Sequence, residues 1–194
     1  MQLSFYTTEL PESFISPNED LFPEPTNCLN PACRVLVPPE KHGFYERNII
    51  DAGFAGRIKI RRYYCPYCGM TFSFLPSFCL PYFQYSLALI FFTLCCHFFR
   101  LIWVLHIFTQ AYQLSLQRQH RQFYARRFSG NLHGIKLILR SLIPSVELPE
   151  PSEIRNGAQK VLDIVLTGFP QIQTFSPRFF AQCNHSFMTP CKLF

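Results

Sequence analysis

Alternation of polar and apolar residues is clearest over residues 57–64, Arg-Ile-Lys-Ile-Arg-Arg-Tyr-Tyr, where Arg57, Lys59 and Arg61 share one face and Ile58 and Ile60 the other. A period of two predicts a strand. His42–Arg47 and Thr71–Phe74 read as further strands, with Gly53 and Gly56 marking a turn between the first of these and the Arg57 strand. Val35-Leu-Val37 reads as one more short strand, stopped by Pro38-Pro39 because neither proline can donate to a ladder. Beyond Pro81 the period lengthens. Leu87, Phe91, Leu94, Phe98, Leu101 and Leu105 recur at spacings of three and four, as on one face of a helix. Leu132, Ile135, Leu139 and Leu142 form a second helical stripe. On a 100° wheel Arg118, Arg126, His133, Lys136 and Arg140 fall to one side of it, and Gly130-Asn131 is the expected break. Residues 153–168 carry a third stripe (Ile154, Val161, Leu162, Val165), closed by Gly168 and Pro170.

These patterns predict an α+β chain in five parts. Residues 1–27, rich in proline and acid and without a period, form an extended arm. Residues 28–76 form a small β module, residues 82–143 a helical domain, residues 144–152 a Pro/Glu linker, and residues 153–194 a C-terminal helix with an aromatic tail.

The apolar run from Tyr85 to Phe108 raises the question of a membrane. Only 15 residues separate Gln84 from Arg100, and they include Ser86, Thr93 and His97. A span needs about 20 residues, and an arginine near its middle costs a few kcal/mol. Helices buried in a soluble domain are the better reading, with Cys95 and Cys96 as core thiols. Insertion of residues 78–108 beside a basic helix lying on anionic lipid is the rival.

Nine cysteines, odd in number and unevenly spaced, do not form a disulfide framework, and residues 1–20 lack the basic start and apolar run of a secretory leader. A reducing cytoplasm is the expected setting. Four of the cysteines fall in two pairs, Cys28-Leu-Asn-Pro-Ala-Cys33 and Cys65-Pro-Tyr-Cys68-Gly69. A tight pair followed by glycine, as at Cys65 and Cys68, lets two thiolates converge on one ion; the Cys28/Cys33 pair has a wider gap and no glycine, and the two turns together supply the four ligands of a closed structural Zn²⁺ site. A redox Cys-x-x-Cys is the alternative, but it should open a helix in a βαβ setting, and none is visible. His42 is a possible substitute ligand that four thiolates leave without a place. Cys183, His185 and Cys191 lack the spacing of a second site.

The net charge of +6 is unevenly spread. Residues 1–51 hold eight acids against three bases, whereas residues 52–143 hold eleven Lys or Arg and no carboxylate at all. So long an acid-free stretch points to a polyanionic partner, either nucleic acid or an anionic membrane surface, and of the two double-stranded DNA is the better match. Arg57, Lys59 and Arg61, with Arg62 at the strand's end, are candidates for phosphate contact. A second helix after about Leu114 would enter the major groove with Gln117, Arg118, Arg121 and Gln122 as base readers, since Arg suits guanine and Gln adenine. Arg126 and Arg127 extend the same basic surface.

The segments His42–Arg47, residues 60–76 (Ile-Arg-Arg-Tyr-Tyr-Cys-Pro-Tyr-Cys-Gly-Met-Thr-Phe-Ser-Phe-Leu-Pro), Pro81-Tyr82 and Phe128–Leu142 resemble those of bacterial, mostly Gram-positive, uncharacterised proteins related to insertion-sequence transposases. The resemblance covers about residues 28–143. It implies a zinc ribbon followed by a helix-turn-helix, DNA binding at the ends of a mobile element, and a transposase or a second copy as a possible partner. A complete transposase also carries a nuclease domain. The only aspartates here are Asp20, Asp51 and Asp163, none placed to gather the metal pair that phosphoryl chemistry needs. The expectation is a binding protein, without catalysis and without a small-molecule substrate.

Overall fold

The computed structural model describes residues 1–33, 35–148 and 154–189. Within it the chain folds as two compact units, Met1–Ser86 and Leu87 onward. The class is α+β: among the described residues a four-stranded sheet comes first and six α-helices follow.

The sheet has the order β1-β4-β3-β2, with β1 (Gln2–Phe5), β2 (Glu40–Asp51), β3 (Phe54–Tyr64) and β4 (Thr71–Pro76). β1 runs parallel to β4, and the other neighbours are antiparallel. β2 and β3 form a long hairpin closed by Ala52-Gly53, where Gly53 takes a φ of +82°. A side chain there would be strained. The ladder shifts register between Lys41 and Phe44, and Gly43 takes a φ of +71° in the shift.

The alternation expected in β3 is present, with Ile58 and Ile60 fully buried. They join Ile49, Leu75, Phe78 and Cys79 in the core of this unit. The segment expected to be an extended acidic arm is packed into the same core. Its residues 2–5 form β1, while Phe14 and Phe22 are buried and meet edge-on at 5.5 Å. Sequence period missed this because two isolated aromatic rings between prolines show no repeat. The strand expected at Val35–Val37 is not formed, and Leu36 is 84% exposed.

On the Ile58 side, Arg47 donates to the carbonyls of Leu80 and of Phe83, the latter at 2.7 Å. This ties the loop after β4 back to β2, at whose outer edge Ile50 N–H donates to Gln84 O and Ile50 O accepts Ser86 N–H, each at 2.8 Å. Hydrogen bonds from a charged donor contribute about 1.5–3 kcal/mol each. Arg47→Met is therefore expected to destabilise the first unit by about 2–4 kcal/mol, read as a lower urea midpoint with an unchanged m-value.

The second unit is built around α1 (Leu87–Phe98), which touches α2 (Ile102–Ala111), α3 (Arg118–Gly130), α5 (Ile154–Gly168) and α6 (Ile172–Cys183). Eight of its twelve residues are buried, as a helix apolar on all sides requires. Its buried Thr93 hydroxyl donates to Leu89 O at 2.7 Å. Arg100, at φ +62°, breaks the apolar run between α1 and α2. No helix among the described residues is long and apolar enough to cross a membrane.

The break expected at Gly130-Asn131 divides α3 from α4 (Leu132–Leu142). A single wheel over residues 118–140 therefore does not hold, and each helix presents its own face. Asn131 is buried, and its side-chain amide donates to Phe187 O at 2.7 Å and to Thr189 O. That amide fixes a C-terminal segment which sequence period did not organise. Most of the expected aromatic tail is α6 and the turn after it, with Phe175, Phe179 and Phe187 buried together. The signal was present as Ile172, Phe175 and Phe179 at helical spacing, obscured by Pro177 within the helix. Part of the expected linker and Cys191 lie outside the described residues.

Candidate metal centre and nucleic-acid face

The cysteine turns lie at one end of the sheet. Cys65 closes β3, and its carbonyl accepts Gly69 N–H at 2.9 Å while its own N–H meets Met70 O at 3.0 Å. Gly69, at φ +69°, allows this reversal. The other turn is shaped by Asn30, whose carbonyl accepts Cys33 N–H at 2.9 Å and whose side-chain oxygen accepts Ala32 N–H at 3.1 Å. Both turns bring their sulfurs inward, and all four Sγ atoms lie within 4.8 Å of one another. The Cys28–Cys68 separation is 3.7 Å and the Cys33–Cys65 separation 3.9 Å. A tetrahedron of about 2.3 Å metal–sulfur bonds has edges of about 3.8 Å. Cys28, Cys33, Cys65 and Cys68 can thus hold one metal ion, with no position left open for substrate. His42 sits against the Tyr64 ring at 5.6 Å and takes no part.

Backbone N–H groups two residues on point at three of the sulfurs: Asn30 at Cys28, Val35 at Cys33 and Met70 at Cys68. Each favours the thiolate. For Cys28 the Asn30 N–H is outweighed by burial and by the crowding sulfurs of Cys65, Cys68 and Cys33, which push the thiol up to about 12. For Cys68 the Met70 N–H and the Asn30 side chain prevail, bringing it down to about 7. Four thiolates this close repel unless a cation sits among them. Binding must therefore release protons, including that of Cys28 throughout the neutral range and that of Cys68 below about pH 7. Metal affinity is expected to rise with pH and to fall more steeply below about 7. Competition with a chromophoric chelator across pH 5.5–8.5 measures this, and an affinity independent of pH would exclude these thiols as ligands.

Two of the other cysteines, Cys79 and Cys95, are pushed up to about 12 chiefly by burial, which marks inert core thiols.

The basic residues divide by environment. On β3, Arg57 and Lys59 share the face foreseen from the alternation, but both bind Glu46 across the hairpin, Arg57 at 3.0 Å. That contact, Lys59 first, holds the Glu46 carboxyl below its usual range. Arg61 is buried, pairs with Glu19 at 2.8 Å and lies 4.8 Å over the Phe44 ring. Arg62 faces the other way, half-buried beside Ser73. The arm and hairpin acids thus neutralise most of the sheet's positive face, which a count along the sequence could not reveal.

On the helices the outcome differs. Among the described residues no ion pair involves Arg118, Arg126, Arg127 or Arg140. α3 buries Tyr124, Ala125 and Phe128, and exposes Arg118, Gln119, Gln122, Phe123 and Arg126. Gln117 is its N-cap, with its N–H on His120 Nδ1 at 3.1 Å. Arg121 is half-buried with its Nε shielded from solvent, so it does not share the outward face. Arg127 lies 5.1 Å over the Phe123 ring. Sequence reasoning passed over Gln119 and Phe123, whose exposure follows once Tyr124 and Phe128 fix the inward side.

No curated protein and no solved structure significantly matches the chain. Residues 30–94 match the model of a family described only as a domain of unknown function, DUF6431, a span that holds Cys33, Cys65, Cys68 and strands β2 to β4.

Proposed function

We propose that the chain is a DNA-binding protein related to the recognition half of insertion-sequence transposases, in which Zn²⁺ on Cys28, Cys33, Cys65 and Cys68 is structural. In this reading the first unit is a zinc ribbon and the helices after it act as a helix-turn-helix in the cytoplasm, without a nuclease site of their own. The observation that carries it is the contrast in charge pairing. On the sheet Arg57, Lys59 and Arg61 are answered by Glu46 and Glu19, whereas Arg118 and Arg126 of α3 and Arg140 of α4 are exposed without an ion-pair partner among the described residues. Exposed helical faces ordinarily mix signs, and an acid-free, unpaired one matches a phosphate backbone. The contact surface is accordingly α3 and α4 rather than β3.

The test is a mobility-shift titration of the zinc-loaded full chain on random-sequence duplex from 50 to 300 mM salt. Binding that weakens steeply with salt supports the reading, and no binding at the lowest salt overturns it.

A second reading is peripheral association with anionic membranes. It rests on α2, where Trp103 is 66% and Ile107 57% exposed, an arrangement suited to an interface. Insertion of residues 78–108 as one segment would require pulling α1 out of its own core. Flotation with vesicles containing phosphatidylserine separates the readings, since a protein that stays with the duplex and not the vesicles excludes the second.

A further inference from the structure

The arrangement of α3 assigns which of its residues read bases and which grip the backbone, an inference that rests on the DNA-binding reading above. On a helical wheel of about 100° per residue, the buried Tyr124, Ala125 and Phe128 define the inward side. Opposite lie Gln119, Phe123 and Arg126, with Gln122 at the edge of this strip toward the exposed Arg118 and the half-buried Arg127 on the other flank. We propose that this central strip faces the floor of a DNA major groove, with Gln122 on adenine, Arg126 on guanine and the Phe123 ring against a thymine methyl. Arg118 and Arg127 then reach the phosphates of the two strands that wall the groove. Arg127 is braced for this by the Phe123 ring 5.1 Å below its guanidinium, an arrangement that limits its freedom before contact. Arg121, tucked toward the core, is excluded from the reading set.

The spacing gives the site a signature. Gln122 and Arg126 are four residues apart, a rise of about 6 Å along the helix. Base pairs stack at about 3.4 Å, so a helix lying along the groove places the two readers about two steps apart. The preferred duplex should carry an A·T pair and a G·C pair separated by one or two steps. The deep, narrow major groove of an RNA duplex cannot admit this helix.

The experiment is selection of bound duplexes from a random pool by the zinc-loaded full chain, beside Gln122→Ala and Arg126→Gln proteins whose helix content and zinc are confirmed equal to wild type. Both positions are exposed, so folding should be retained. Wild type is expected to enrich the paired signature. Gln122→Ala should lose discrimination at the adenine position by about 5- to 150-fold, keeping the guanine position and its affinity for unselected duplex. Arg126→Gln should move the guanine preference toward adenine. If both variants enrich the wild-type motif, or if an RNA duplex competes as well as DNA, this assignment falls. If wild type binds every duplex in a salt-dependent manner without enrichment, the assignment falls while the DNA-binding reading stands. If wild type binds no duplex, both fall.

Discussion

Cys65→Ser is expected to leave the purified chain with well under one equivalent of metal and a first unit whose melting temperature drops by more than about 10 °C. The magnitude follows from the geometry. The described residues between Thr26 and Pro39 form no regular strand or helix, so they are held chiefly by the two sulfurs they contribute, opposite two more at the end of β3. Structural zinc in comparable thiolate sites contributes about 10–16 kcal/mol of apparent binding energy, against a total stability of about 5–15 kcal/mol for an ordinary domain. Even if the phenylalanine core under the sheet survives in part, losing a few kcal/mol in a unit of 86 residues lowers the melting temperature by about 4–8 °C per kcal/mol. Hydrogen exchange should localise the damage to residues 26–39 and to the Tyr63–Phe72 and Tyr64–Thr71 pairs of the β3–β4 ladder. Cys79→Ala is the control, because Cys79 is buried in the core and outside the sulfur cluster. It should keep the metal and lose only packing. One full equivalent retained by Cys65→Ser, with exchange unchanged, would remove Cys65 from the ligand set.

The clustering of Cys28, Cys33, Cys65 and Cys68 was legible from spacing because its geometry is local. Each cysteine pair needs only its own turn, and Gly69 sits where the positive φ occurs. The hairpin was legible for the same reason, since Ile58 and Ile60 announce the buried face of a strand without reference to anything distant. What failed were features decided by contacts far apart in the chain. Phe14 and Phe22 have no neighbours in sequence that signal burial, yet they fill the space beside Phe44, Phe78 and Phe5. The buried Asn131 can be understood only once Phe187 and Thr189 are brought to it. Charge was misread in the same way. The eleven cations and no acids of residues 52–143 look like one basic surface, but the acids that neutralise the strand are Glu19 and Glu46, which lie before that stretch in the chain.

That redistribution of charge gives the second large expected effect. Replacing Arg118, Arg127 and Arg140 together by alanine should lower duplex affinity by about two orders of magnitude near 0.15 M salt. Each phosphate contact contributes about 0.9 to the slope of log affinity against log salt. Losing three should reduce the slope by about 2.7, which sets both the size of the loss and its fading at higher salt. Replacing Arg57 and Lys59 by alanine removes nearly as much formal charge, but Glu46 already binds both. A phosphate could engage them only by displacing that carboxylate, so the double variant should change affinity less than about threefold and leave the slope within one unit of wild type. The surface pairs themselves stabilise little, and neither set is expected to alter the fold enough to confuse the comparison. An equal loss in both proteins would mean that the field of the whole chain, rather than one face of it, draws the duplex. A loss confined to Arg57 and Lys59 would place the contact on the sheet and reverse the assignment of α3 and α4.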